Sequence, residues 1–215
     1  DPNQTITIKY KDTNVIRNEV QIGEVGKITN LTHVPQTVTL NRYYENPVVF
    51  VQSLSYAGSD PATVRVKDVQ SNHFTIYVTE PSDGNGLHNA EETVSFFVLE
   101  TGNYTLVNGA KLEVGTVETS ATVGTQLANQ WESILFNIPF DTQPVVLSQV
   151  QTHSDSGVNY LQTRHQATSI LNVELALEQE EAVTTRHPPE TIGYLAITNS
   201  KGTWNGMAYE ANAGE

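Results

Sequence analysis

Two histidines stand ahead of two copies of one phrase. His88 precedes Glu92-Thr93-Val94-Ser95-Phe96-Phe97-Val98-Leu99, and His187 precedes Glu190-Thr191-Ile192-Gly193-Tyr194-Leu195-Ala196-Ile197. An imidazole on a polar loop offers a donor and an acceptor to a ligand, and equally to the carbonyls of its own loop, which it then caps. Asp83 with Asn85, and Asp155 with Ser156, supply the oxygen ligands that Ca²⁺ prefers, without the dense acidic spacing of a dedicated calcium loop. Tyr43 and Tyr44 lie in a polar turn as candidate exposed aromatics, and Trp131 fits a core rim. Chemistry of the catalytic kind has little to stand on. The chain has no Gly-x-Ser-x-Gly elbow, no His-Glu-x-x-His, no phosphate-cradling glycine loop and no dinucleotide fingerprint. Among 24 acids, neighbours such as Glu91-Glu92 and Glu180-Glu181 are inevitable, and their position beside strand turns reads as solvation. The expectation is a protein that is not an enzyme.

The element that must carry each histidine loop is a strand. Val94, Phe96 and Val98 alternate with Thr93 and Ser95, as Ile192, Tyr194 and Ala196 do with Thr191 and Gly193, which is the β period. Phe97 and Leu99, or Leu195 and Ile197, make the opposite face apolar as well. A strand apolar on both faces belongs inside a layered structure, so each copy is expected to be the central strand of its own module.

The chain has 215 residues, a length that with the repeat suggests two modules of about 95 residues. It has no cysteine, so neither a disulfide framework nor a thiolate site is available, and no apolar run reaches membrane length. Net charge is −13. Residues 23–106 carry nine acids against four basic residues and residues 107–204 carry ten against four, so both modules are acidic. Such a field repels phosphate backbones and argues against nucleic acid as a partner. Acidic solvation of a secreted protein accounts for it.

Residues 1–22 open with the alternating Thr5–Tyr10 and are expected to stand outside the repeats. A punctuating phrase follows three times: Val20-Gln21-Ile22-Gly23-Glu24-Val25, Lys111-Leu112-Glu113-Val114-Gly115-Thr116-Val117, and more loosely Asn205–Asn212, which resembles Asn108–Gly115. Three marks around two units are expected of a longer array. In the first unit Thr37–Leu40, Val48–Val51, Thr63–Lys67, Phe74–Val78 and Glu92–Leu99 read as strands, with Tyr104–Leu106 closing the unit. The second keeps the order. Trp131–Phe136 answers Pro35–Leu40, Val145–Leu147 answers Val48–Phe50, and Leu171–Leu175 answers Phe74–Val78. The predicted fold is all-β: two tandem six-stranded antiparallel β-sandwich modules over residues 23–106 and 107–204, with 205–215 opening a linker or a further repeat.

With Asn46-Pro47-Val48-Val49, Val64-Arg65-Val66-Lys67-Asp68-Val69 before Phe74, and the last strand of the form Glu-Thr-Val-Ser-Phe-Phe-Val, each unit resembles the H-type lectin fold. The resemblance implies a sugar groove near the module edge built by an Asp, an Arg and a His, with a neighbouring protomer contributing. Carried to this sequence it implies Asp60, Arg65 and His88 in the first unit, with Tyr56 and Asp83 in the adjoining loops. In the second unit it points to Asp155, His153 (facing Tyr56), His187 and Arg164, with Gln162 in alignment with Arg65 and Arg164 with Lys67. Charged forks suit vicinal hydroxyls, and an aromatic ring suits the apolar face of a pyranose. Arg65 also reads as an ordinary solvent-face residue, and Asp60 before Pro61 and Asp83 before Gly84 as turn formers.

The resulting expectation is a carbohydrate-binding tandem module of a secreted bacterial adhesin or polysaccharide-degrading protein. Its implied partners are an oligo- or polysaccharide, the rest of a longer polypeptide and a second copy through self-association. No cofactor is required, Ca²⁺ being the one weak candidate, and no membrane insertion is expected. The alternative is a ligand-free structural spacer repeat in a surface array. Long, dissimilar loops before the two central strands (Pro81–Asn89 and Glu178–Pro189) favour binding, since function concentrates on loops held by a repeated scaffold.

Overall fold

A computed structural model describes residues 4–9, 19–83, 85–124, 128–154, 160–204 and 207–212. The described residues form strands, turns and loops without a helix, and therefore no helix able to cross a membrane. The all-β expectation holds.

The first unit is built from Glu19–Leu31 (β2), Gln36–Thr39 (β3), Pro47–Val51 (β4), Thr63–Gln70 (β5), His73–Thr79 (β6) and Glu92–Glu100 (β7). β2, β7 and β4 make one antiparallel sheet and β3, β6 and β5 another. Alternation puts Val94, Phe96 and Val98 on one side of β7, where they meet Phe74, Ile76 and Val78 of β6 in the interior. The central strand lies between two neighbours, as its double apolar face requires.

Lys111–Thr119 (β9), Thr122–Val123 (β10), Glu132–Leu135 (β11), Val145–Val150 (β12), Leu161–Gln166 (β13), Asn172–Gln179 (β14) and Glu190–Ile197 (β15) build the second unit. β12, β15 and β9 form one sheet, while β11 and β13 pair with β14 in the other, where β10 adds a short parallel contact. Ile192, Tyr194 and Ala196 face a second core with Val173, Leu175 and Leu177.

The pairing registers superimpose the two units residue by residue. Leu40 N–H bonds the Asn72 carbonyl and Phe136 N–H the Leu171 carbonyl, while Tyr44 and Phe140 bond Ser71 and Ile170. Phe74 is therefore matched by Val173, two positions on from the alignment expected from sequence. Arg65 pairs with Tyr77 and Arg164 with Ala176, so Arg164, and not Gln162, stands in the place of Arg65. Both misalignments come from the β13–β14 segment, where polar residues on an exposed face give the register little apolar pattern to follow.

Two segments sit differently from expectation. Gly102–Thr105 (β8) pairs with β9 and so joins the second unit's sheet. Gln4–Lys9 (β1) pairs with β2 in the same manner, Gln4 opposite Val25 as Gly102 is opposite Val114. The opening segment thus has a counterpart within the repeat. Ser200–Trp204 (β16) and Met207–Ala211 (β17) end the described chain as a hairpin.

Candidate functional site

The two units meet through the same face. Val48, Leu99, Val25 and Phe97 point outward from the first unit's sheet, and Val145, Ile197, Val114 and Leu195 occupy the matching positions in the second. All eight belong to one apolar cluster with Ile22, Phe50 and Leu112.

Polar clamps flank this cluster. Gln151 donates from Nε2 to the Val49 carbonyl (2.8 Å) and accepts from the Val49 N–H at Oε1 (2.9 Å), so a side-chain amide completes the open edge of β4. Glu180 accepts from Ser82 N (2.6 Å) and Ser82 Oγ (2.8 Å), joining the loops ahead of the two central strands. Tyr77 and His153 share a hydrogen bond of 2.9 Å across the boundary. Gly193 lets Val48 approach: a Cβ there would fall inside the contact radius of Val48 Cγ1 and 3.0 Å from Gln151 Cδ.

Arg65 lies at the centre of the junction. Its Nη2 donates to the Thr152 carbonyl (3.0 Å) and to Glu190 Oε1 (3.4 Å), and both charged side chains are fully buried. Desolvation pulls the Arg65 pKa below its ordinary value, against the stabilising fields of Tyr77 and Glu190. The expected solvent-facing fork is thus a buried cross-unit ion pair. The alternation around Arg65 is two-faced, and at Arg65 the second unit covers the outer face of β5.

Each unit also carries two buried carboxylates at matching positions. Glu24 accepts from the Asn41 N–H and from the Tyr44 hydroxyl (3.2 Å), and Glu113 accepts from the Asn137 N–H (2.9 Å) and the Tyr194 hydroxyl (2.9 Å). Burial and the neighbouring carboxylate push both tyrosine pKa values up. Glu92 accepts from the Ser55 hydroxyl and from the Ala57 (2.9 Å) and Gly58 (3.0 Å) N–H groups. Glu190 accepts from the Thr152 hydroxyl and from Ser154 N (2.9 Å) in the same way. Burial raises the Glu92 pKa, but the bonds from Ser55, Ala57, Gly58 and His88 outweigh it and hold the carboxyl below 4.5. These acids fasten turns to the sheet. Glu92, expected to solvate its strand end, is 1% exposed.

His88 lies between Glu80 (Nδ1, 2.9 Å) and Glu92 (Nε2, 3.2 Å) with 2% exposure, so both ring nitrogens are engaged. It holds its loop through carboxylates rather than carbonyls. His187 is equally buried and donates from Nδ1 to the Pro188 carbonyl (2.9 Å). Gln179 replaces Glu80 there, and His187 Nε2 and Gln179 Oε1 have no hydrogen bond among the described residues. Arg164 is exposed and bonds Glu178 (3.0 Å). Asp155 lies outside the described residues.

One group of expected site residues does come together. Asp60 and Asp83, with Glu80 and Asn85, line an open acidic cleft of about 370 Å³ in the first unit. Tyr56, in the loop before Asp60, is 87% exposed. Among the described residues, no group of three or more His, Asp or Glu is arranged to hold a metal ion.

Sequence reasoning missed Glu190, Gln151 and the Glu24–Glu113 pair. The first and the last were detectable, since the same acid stands at the same repeat position in both units. Gln151 has no such signal, because its counterpart is Leu54.

No family model and no solved structure matches the chain. In an alignment of 172 positions that covers 75% of this chain, it is 30% identical to halomucin of Haloquadratum walsbyi (strain DSM 16790 / HBSQ001). The matched stretch is 2% of that relative, so what this chain resembles is a short segment of a very long polypeptide.

Proposed function

We propose that this chain is a structural segment of a long extracellular polypeptide, in which two β-sandwich units lock into one rigid body. The observation that carries the reading is the Arg65–Glu190 pair: the side chain best suited to grip a ligand is buried between the units, where it fixes their orientation. His88 and His187 hold loops inside their own units. The likeness to a small segment of a very long relative supports an array setting, and a chain without cysteine is compatible with a surface location. The test is small-angle scattering and calorimetry on the intact chain. One unfolding transition and a scattering profile of a single fixed pair are expected. Two independent transitions with a flexible-pair profile would reject the reading.

A second reading takes up the resemblance to H-type lectins and places a saccharide in the cleft of Asp60, Glu80, Asp83 and Asn85. The cleft presents carboxylate and amide acceptors for vicinal hydroxyls, with the exposed ring of Tyr56 in the same loop as Asp60. A glycan array with the intact chain and with Asp60→Ala and Tyr56→Ala tests it. Specific binding lost in both variants supports it, and no binding at all, or binding unchanged in both, rejects it.

A further inference from the structure

The terminal hairpin repeats the start of the second unit in register. β8 pairs with β9 as Gly102–Val114, Asn103–Glu113 and Tyr104–Leu112, and β16 pairs with β17 as Ser200–Ala211, Lys201–Glu210 and Gly202–Tyr209. Tyr209, Glu210 and Ala211 therefore stand where the second unit has Leu112, Glu113 and Val114. The correspondence extends to packing, for Tyr209 and Ala211 join the apolar cluster that contains Leu112 and Val114.

The difference lies on the other edge and the other face. β9 is flanked by β8 and by β15, whereas among the described residues β17 pairs with β16 alone. Glu24 and Glu113 are 1% and 2% exposed, each covered by an Asn turn and a tyrosine, but Glu210 at the same position is exposed. A strand with open backbone groups and a carboxylate set for burial is a template for pairing.

We propose that the free edge of β17 is a docking edge for the central strand of a further copy of this module. The geometry also constrains that strand. Gly115 allows the Tyr194 ring to lie over β9, with the hydroxyl 2.6 Å and Cζ 2.7 Å from where a Cβ would sit. Asn212, the residue after β17, stands at this position, and its Cβ would meet a ring placed as Tyr194 is over Gly115. The incoming strand therefore carries a small side chain where β15 has Tyr194.

The inference rests on reading the chain as a repeat segment, and the experiment separates the two. Residues 1–212 are extended with a copy of residues 116–204, either as it stands or with Tyr194→Ala in the added copy. A control extension has residues 110–115 in place of 207–212, which supplies the second unit's own first strand. Hydrogen–deuterium exchange then follows the amides of residues 207–211. The expected result is exchange slowed by about tenfold or more in the Ala-bearing extension relative to the 215-residue chain, with less slowing where Tyr is kept. If the control extension folds and residues 207–211 exchange as fast as before, or their extension does not fold, the docking edge is rejected and the repeat reading stands. If the control also fails to fold a third unit, both fall.

Discussion

Arg65 Nη2 of the first unit lies 3.4 Å from Glu190 Oε1 of the second, and neither side chain is exposed. Glu190 is the counterpart of Glu92, which fastens its loop without help from another unit. The second unit thus uses a carboxylate already built into the repeat to receive its neighbour. Removing one member of a buried pair strands the other charge, at a cost of about 3–5 kcal/mol.

Arg65→Met is accordingly expected to destabilise the chain by about 3 kcal/mol, the low end of that range, because Thr152 and Ser154 still bond Glu190. Arg65→Met with Glu190→Gln should recover part of the loss. Urea unfolding of the single and double variants measures both. A single variant within about half a kcal/mol of the parent, as for an exposed site, would contradict the burial.

Gly193→Ala places a methyl against Val48 Cγ1 and Gln151. Overpacking of this kind costs about 1–3 kcal/mol. Val48→Ala opens the same space, so the double variant should be less destabilised than the sum of the two single changes. Strict additivity in thermal melts would show that the two residues do not meet.

The strands and the central position of β7 and β15 were legible because apolar alternation is a direct consequence of strand geometry. The unit–unit junction was not. Val25, Phe97 and Leu99 signal a second buried face, but nothing in their spacing says whether a neighbouring unit or a ligand covers it. Arg65 shows the limit most plainly: an arginine at an outward strand position looks the same whether water or a glutamate of the next unit faces it. The cleft of Asp60 and Asp83 was half legible, since turn-forming acids locate loops without saying which loops converge.

Gln151 closes the edge of β4 by bonding both backbone groups of Val49. Gln151→Ala leaves a buried N–H and a buried carbonyl without partners, at about 1–3 kcal/mol for each. The expected loss exceeds that of Gln149→Ala, whose side chain carries no such bond. Amide exchange at Val49 should rise in the Gln151 variant. Unchanged exchange there would mean that water or another group serves β4 equally well.

Acid should loosen the first unit through Glu92. Desolvation alone would raise its pKa, but the bonds from Ser55, Ala57, Gly58 and His88 lower it below the ordinary 4.5. The unfolded chain therefore binds the proton more tightly than the folded one. The corresponding stability is fully present above pH 4.5 and is lost as the pH falls through the folded value. His88 links this carboxylate to Glu80 through its two ring nitrogens. Glu92→Gln should lower stability at pH 7, since an amide nitrogen must then face a donor at Ser55, Ala57 or Gly58. It should also flatten the fall in stability as the pH drops below 4.5. Glu181→Gln, at an exposed acid, serves as the control. Urea midpoints of the three proteins across that range make the comparison, and a Glu92→Gln curve parallel to the parent would show that the carboxylate stays protonated or solvated in the folded chain.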